Sequence, residues 1–271
     1  MSETAYVGDT VSGARLKHHY GEHVHVLADT WSQSILARVS HPDTKTPELH
    51  VLLNAAYRRL LQAASEQLPT KAFDLPTRMT ASEPRARLVG RAVDRDHKIV
   101  VVDVARAGMI PAHLFQLGLH ELVEPDNVRV DHLFMDRAAD PVTGAVTGIA
   151  FHGSKIGGEV GGATIFVPDP MGATGRSIVA ALDHYAKNVA GTPARLVTCH
   201  LIVTPEFIRY VTTHLPGVVI YTLRVDRGLS TPEVLATVPG ARWSEERGLD
   251  KTDYIVPGAG GLGELINNAW T

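Results

Sequence analysis

An α/β fold, a mainly parallel sheet flanked by helices, is what this sequence predicts, and three observations carry the prediction. Apolar runs of strand length, such as "KIVVVDV" and "ATIFVP", recur along the chain without polar alternation, which is the pattern of strands buried on both faces. Between them lie segments whose apolar residues fall at helical spacing. The chain is 271 residues long and 44% hydrophobic, enough for a sizeable core in one or two domains.

The N-terminal segment, 1–95, reads as mostly helical. In "TPELHVLLNAAYRRLLQAAS" (46–65), Leu49, Leu52, Leu53, Ala56, Leu60 and Ala64 share one face of a 3.6-residue period, and Thr46 with Pro47 supplies a helix start. The α/β core, 96–229, follows: strands at 98–104, 128–135, 163–168, 196–203 and 218–223, with helices at 109–119, 177–188 and 205–215. Residues 230–271 hold an insert, with a short helix, and a C-terminal loop. The whole is expected to form a single domain. One stretch breaks the alternation: "RAADPVTGAVTGIAFHGSKIGGEVGG" (137–162) is rich in glycine, too long for a simple connection and too polar for core. A mobile loop of the lid type is expected there.

Composition narrows the partners. A formal charge of −3, with Lys and Arg scattered, gives no footprint for nucleic acid or an anionic membrane surface. No basic and apolar leader opens the chain and no run of 18 apolar residues occurs in it, so a soluble cytoplasmic protein is expected. The single cysteine, Cys199, sits in the strand-like "RLVTCHLIV" and is expected to be buried rather than reactive. His18, His19, His23 and His25 crowd together in "KHHYGEHVH", yet no helical or hairpin spacing makes them converge. A solvated arm or a subunit contact is expected there, with no protein-bound metal.

In open α/β sheets ligands bind beyond the carboxyl ends of the strands. Asp169 stands at such an end, followed by Gly172, Ala173, Thr174, Gly175 and Ser177, which run directly into an amphipathic helix. Such a loop is either a tight structural turn or an anion cradle: main-chain N–H groups at a helix start, small side chains that let a phosphate approach, and hydroxyls at Thr174 and Ser177. Arg176 adds positive charge. The spacing is not that of a Walker A loop. "GAGGLG" (258–263) matches the dinucleotide fingerprint in letters alone, because eight residues remain after it and no βαβ unit can follow. It reads as a glycine-rich loop that can wrap a flat ligand.

Four ordered motifs, "VDVARAGM" (102–109), "DPMGATGRS" (169–177), "VDRGL" (225–229) and "YIVPGAGGLGELI" (254–266), together resemble the uracil phosphoribosyltransferases. A weaker likeness around "LARVSHPDTKTPELHVLL" extends the resemblance over most of the chain. The resemblance implies a type I phosphoribosyltransferase fold and transfer of a phosphoribosyl group from phosphoribosyl diphosphate to uracil or a related pyrimidine-like base. By the same likeness Asp169 takes the ribose hydroxyls, and Pro170, Met171, Gly172, Ala173, Thr174, Gly175, Arg176 and Ser177 hold the ribose phosphate. Arg106 and Arg137 neutralise the departing diphosphate, Mg2+ travels with that diphosphate, and the segment after Arg137 is the closing loop. The base is read by Ile255, Gly260, Gly261 and Leu262. A homodimer or larger assembly, and in some members activation by GTP, belong to the same expectation.

The likeness has departures. The family's C-terminal pattern is "YIVPGLGDAGDR"; here Ile255, Val256, Pro257, Gly258 and Gly260 match it, whereas Gly261, Leu262 and Glu264 stand where it has Asp, Ala and Asp. Met109, Ile110 and Pro111 follow "RAG" where Leu-Gly-Met is usual. Two readings therefore stay open at the level of sequence: a transferase, or a catalytically silent relative that binds a nucleotide or the donor as sensor or scaffold.

Overall fold

The structure, a computed structural model, describes residues 11–12, 14–139 and 146–269; the side chains of 11–12, 137–139 and 146–147 lie outside that description. Its strands are β1 (Val11–Ser12), β2 (Arg15–Leu16), β3 (Val24–Val26), β4 (Thr70–Pro76), β5 (Arg87–Val93), β6 (Ile99–Ala105), β7 (Val128–Ala139), β8 (Val146–Lys155), β9 (Thr164–Pro168), β10 (Met171–Gly172), β11 (Arg195–Val203) and β12 (Val219–Val225). Its helices are α1 (Thr30–Val39), α2 (Glu48–Ala64), α3 (Met109–Leu119), α4 (Arg176–Asn188), α5 (Pro205–His214), α6 (Pro232–Leu235) and α7 (Leu262–Asn267).

The apolar runs form the middle of one sheet in the order β3-β12-β11-β9-β6-β7-β8, with β10 added beside β11. Every pairing along that order is parallel except β7 with β8. Side chains alternate across a strand, so β6 feeds two cores. Ile99 and Val101 pack with α2 and α3 through Leu53, Leu60, Phe115 and Leu119. Val100, Val102 and Val104 pack with α4 and α5 through Ile178, Leu182, Phe207 and Val211. Burial on both sides is why these strands carry no polar alternation, and the predicted mainly parallel sheet flanked by helices is what forms.

Strand order also creates a switch point. From β6 the chain goes through α3 to β7 on one side, and later returns as β9 on the other, continuing outward to β11 and β12. The register Ile99↔Thr164, Val100↔Ile165, Val101↔Phe166 sets β6 and β9 in step. The loops after Ala105 and after Pro168 therefore leave the sheet side by side and in opposite directions, which opens a crevice between them.

Three expectations are corrected. The N-terminal segment holds α1 and α2, but it also contributes β3 to the sheet edge, and β4 pairs antiparallel with β5 over Thr70↔Val93 to Pro76↔Arg87. That hairpin is exposed along nearly its whole length, so no buried face imposed an alternation on its sequence. The helix expected from Thr46 begins at Glu48 with Pro47 as its N-cap, and no side chain caps it. The loop expected over 137–162 is strand over β8, which pairs with β7 as a ribbon; residues 140–145 lie outside the described ones. Buried Asp131 roots this ribbon by accepting from Gly157 N at 2.9 Å, Arg129 Nε at 3.1 Å and Tyr185 Oη at 2.8 Å.

Of the N-terminal histidines, His19 and His23 are exposed as expected for a solvated arm, while His18 and His25 are half-buried. His25 lies in β3, its ring centroid 4.5 Å from that of Tyr221 with the planes tilted by 31°, and its Nδ1 3.2 Å from Arg15 Nη1; burial, then the Arg15 charge, lowers its pKa to about 4. Among the described residues no group of three or more His, Cys, Asp or Glu converges to hold a metal ion. Cys199 is fully buried, as expected. No helix among the described residues is long and apolar enough to cross a membrane.

Candidate functional site

After β9 the chain turns at half-buried Asp169 and enters the loop 170–175. The carbonyl side of this loop is tied down. Asp169 O accepts from His200 Nδ1 at 2.8 Å, Pro170 O from Leu201 N at 3.1 Å, Gly172 O from Thr204 N at 3.1 Å and Ala173 O from Thr204 Oγ1 at 2.7 Å. Thr204 also caps α5, its Oγ1 accepting from Phe207 N at 2.9 Å. The N–H groups of Thr174, Gly175 and Ser177, by contrast, donate to nothing among the described residues. Gly175 stands in the left-handed region, φ 78°, immediately before α4, and a Cβ there would lie 2.7 Å from Val211 Cγ2. Only glycine fits both demands. A loop with its carbonyls tied down and these N–H groups left over, ahead of a 13-residue helix, has the form of an anion cradle; of the two sequence readings, the geometry supports the cradle.

Across the switch point, Arg106 follows β6 with its side chain exposed and no ion pair among the described residues. Its loop is tight because Gly108 lies directly against β6: a Cβ there would meet Val104 N at 2.7 Å and Asp103 Oδ1 at 3.1 Å. Beneath it, Asp103 is 2% exposed, with Oδ2 2.7 Å from His132 Nδ1 and Oδ1 unpartnered. Burial raises its pKa, and His132 partly offsets that. A carboxylate inside "IVVVDVA" was the sequence signal for this pair, which motif matching passed over. The other diphosphate candidate, Arg137, stands in β7 opposite Ile149, but its side chain lies outside the described residues.

The C-terminal segment completes the crevice. Gly258 and Gly260 adopt φ 60° and 70°, and Gly258 N donates to Asp226 Oδ2 at 2.8 Å. Gly228 N donates to Val256 O at 2.9 Å, and Val256 N to Gly248 O at 2.8 Å. The insert thus buttresses this loop. It does so through an ion pair with no exposed surface, Arg227 Nη1 to Glu246 Oε1 at 2.7 Å, while Tyr20 Oη donates to Glu246 Oε2 at 2.7 Å. Ile255 and Leu262 are buried in the core with Ile266, so their side chains are used for packing. Gly263 approaches Ala107, and Asn267 Nδ2 donates to Arg106 O at 3.3 Å. The segment therefore lies over the Arg106 loop. At Gly261 a Cβ would fall 2.5 Å from Glu264 Oε2; the Glu264 carboxylate folds back over the position where the resembling family has its aspartate.

Arg106, Asp169 with its loop, and the C-terminal loop are thus brought to one crevice. Such a crevice can hold a phosphorylated sugar between two loops and a flat ring against the third. Comparison with known proteins gives the same direction. The family model described as uracil phosphoribosyltransferase matches residues 26–241. A uracil phosphoribosyltransferase of Myxococcus xanthus is 29% identical over 85% of this chain and 90% of that relative, and one of Thermosipho africanus is 30% identical over 83% and 88%. A solved protein structure from Aquifex aeolicus superposes with a TM-score of 0.66 at 21% identity, covering 90% of this chain and 97% of that one.

Proposed function

The chain belongs to the uracil phosphoribosyltransferase family, and we propose that it transfers the phosphoribosyl group of phosphoribosyl diphosphate to uracil or a closely related pyrimidine-like base, giving the nucleoside 5′-monophosphate in pyrimidine salvage. In this reading a ring nitrogen of the base bonds to C1 of the ribose as the C1–O bond to diphosphate breaks; the nitrogen's proton is released. The observation that carries it is the register of β6 and β9, which sets the exposed Arg106 beside the Asp169 loop with its left-over N–H groups.

Each residue then has a physical task. The N–H groups of Thr174, Gly175 and Ser177 bind the 5-phosphate, and the Asp169 carboxylate binds the ribose hydroxyls, so C1 is fixed and the reaction becomes one of positioning. Arg106 stabilises the charge that collects on diphosphate as it leaves; Mg2+, entering as the chelate of the donor, supplies Lewis-acid neutralisation of the same charge. The main chain around Gly258 and Gly260 reads the edge of the ring. The silent-relative reading drew on Gly261; the carboxylate of Glu264 at that corner favours the transferase.

The test is diphosphate release by the purified chain with Mg2+, phosphoribosyl diphosphate and a panel of bases headed by uracil. Release with uracil, lost in Asp169→Asn and in Arg106→Ala, is the expected result. Unchanged turnover in both variants would overturn the assignment. Donor binding without release on any base would leave the silent relative.

A further inference from the structure

Beneath Asp169 the sheet opens for two residues. The pairing of β9 with β11 ends at Cys199↔Pro168, and that of β10 with β11 begins at Met171↔Ile202, so the register is kept while residues 169 and 170 leave the ladder. Asp169 N still donates to Cys199 O at 3.0 Å, and both Leu201 N and Ile202 N turn to Pro170 O. That leaves the Asp169 carbonyl to a side chain. His200, fully buried in β11, places Nδ1 2.8 Å from it and packs edge-on against Phe207 at 4.6 Å between ring centroids.

The chemistry of the ring follows from its partners. A carbonyl only accepts, so Nδ1 must carry the proton. Nε2 is buried with no partner among the described residues, and a proton there would leave an unsatisfied charged donor. His200 is held as the neutral, Nδ1-protonated tautomer. A leucine would fill this place without abandoning a ring nitrogen in the core, and a buried polar atom left unpaired calls for a reason.

We propose that His200 is a positioning residue of the donor site: by holding the Asp169 carbonyl across the gap in the ladder, it fixes the turn that aims the Asp169 carboxylate at the ribose. The assignment rests on the proposed role of Asp169. It is independent of pH over the working range, because the ring stays neutral.

The test compares His200→Leu, which removes the donor, with His200→Asn, whose amide nitrogen stands the same number of bonds from Cα as Nδ1. His200→Leu is expected to raise the KM for phosphoribosyl diphosphate roughly tenfold, the effect of one lost hydrogen bond to a buried carbonyl, with the KM for the base unchanged. His200→Asn is expected to recover most of it. Titration calorimetry with the donor reads the same loss if turnover is slow. Unchanged donor affinity in His200→Leu, or no recovery in His200→Asn, would overturn the proposal. Nitrogen NMR of the parent chain reads it without any variant: a protonated Nδ1 and bare Nε2, constant from about pH 5 to 8, is expected, and the opposite tautomer defeats the idea. If Asp169→Asn binds donor as the parent does, the role of Asp169 fails and this assignment with it. If Asp169→Asn loses donor while His200→Leu keeps it, only His200 is misassigned.

Discussion

Lowering the pH from 7 to 5 should cost the fold about 2 kcal/mol through His200 alone. Burial lowers its pKa from 6.5 to about 3, whereas in the unfolded chain it titrates near its ordinary value. At pH 5 the unfolded ring is protonated by roughly thirtyfold over its neutral form while the folded ring stays neutral, and about 1.5 pH units at about 1.36 kcal/mol each gives that figure. The unfolded state binds the extra proton, so this stability is complete above pH 6.5, falls as the pH drops below it, and continues to fall until about pH 3. His25, with its pKa lowered to about 4 by burial, acts in the same direction. Asp103, raised by burial, acts in the opposite one, since acid relieves the cost of its buried charge. Both are common to the parent and to His200→Asn. Urea unfolding followed by tryptophan fluorescence at the two pH values therefore isolates the histidine: the parent's stability relative to His200→Asn should fall by about 2 kcal/mol on acidification. A difference that does not change with pH would refute the buried neutral ring.

Three further outcomes are expected. Gly175→Ala, with φ 78° and a Cβ 2.7 Å from Val211 Cγ2, should cost about 1–3 kcal/mol in thermal unfolding and raise the donor KM more than the base KM. Glu246→Gln takes one charged partner from the fully buried Arg227 guanidinium and should lose about 1–3 kcal/mol of stability in urea unfolding; the base KM should rise as well, because Asp226, the neighbour of Arg227, holds Gly258 N. Gly261→Asp sets a second carboxylate against Glu264, whose Oε2 lies 2.5 Å from a Cβ built at 261; the flexible Glu264 side chain can swing aside, so stability should hold while like-charge repulsion lowers turnover, and the double variant Gly261→Asp with Glu264→Ala should recover it in the same diphosphate-release assay.

The core was legible because burial on both faces leaves a mark on sequence. Helix 109–119 was read to the residue as α3, and the apolar runs at 98–104 and 163–168 became β6 and β9 within a residue or so of their ends. The hairpin β4-β5 and the ribbon strand β8 were not legible, since an exposed strand needs no alternation. The cradle at 169–177 was visible as small residues before a helix. What ties it down was not, because Thr204 and His200 reach it only through strand order, which no local pattern encodes. Leu262 showed the limit in the other direction: the family likeness placed it among the residues that read the base, yet the side chain is 1% exposed and packs with Ile266.

The two halves of the crevice are held by different means, and this bears on how the chain can differ from its relatives. The half around Asp169 is fixed from β11 and the start of α5, by Cys199, His200, Leu201 and Thr204, all four of them fully buried. A change there disturbs the sheet, so sequence departures are costly. The C-terminal half hangs from Asp226 and from the insert through Arg227 and Glu246. Side chains in that loop can change while the hydrogen bonds that shape it persist. Gly261 and Glu264 are changes of this kind, whereas Leu262 is a core residue; none of the three falls in the loop 170–175, whose ties come from β11 and the start of α5.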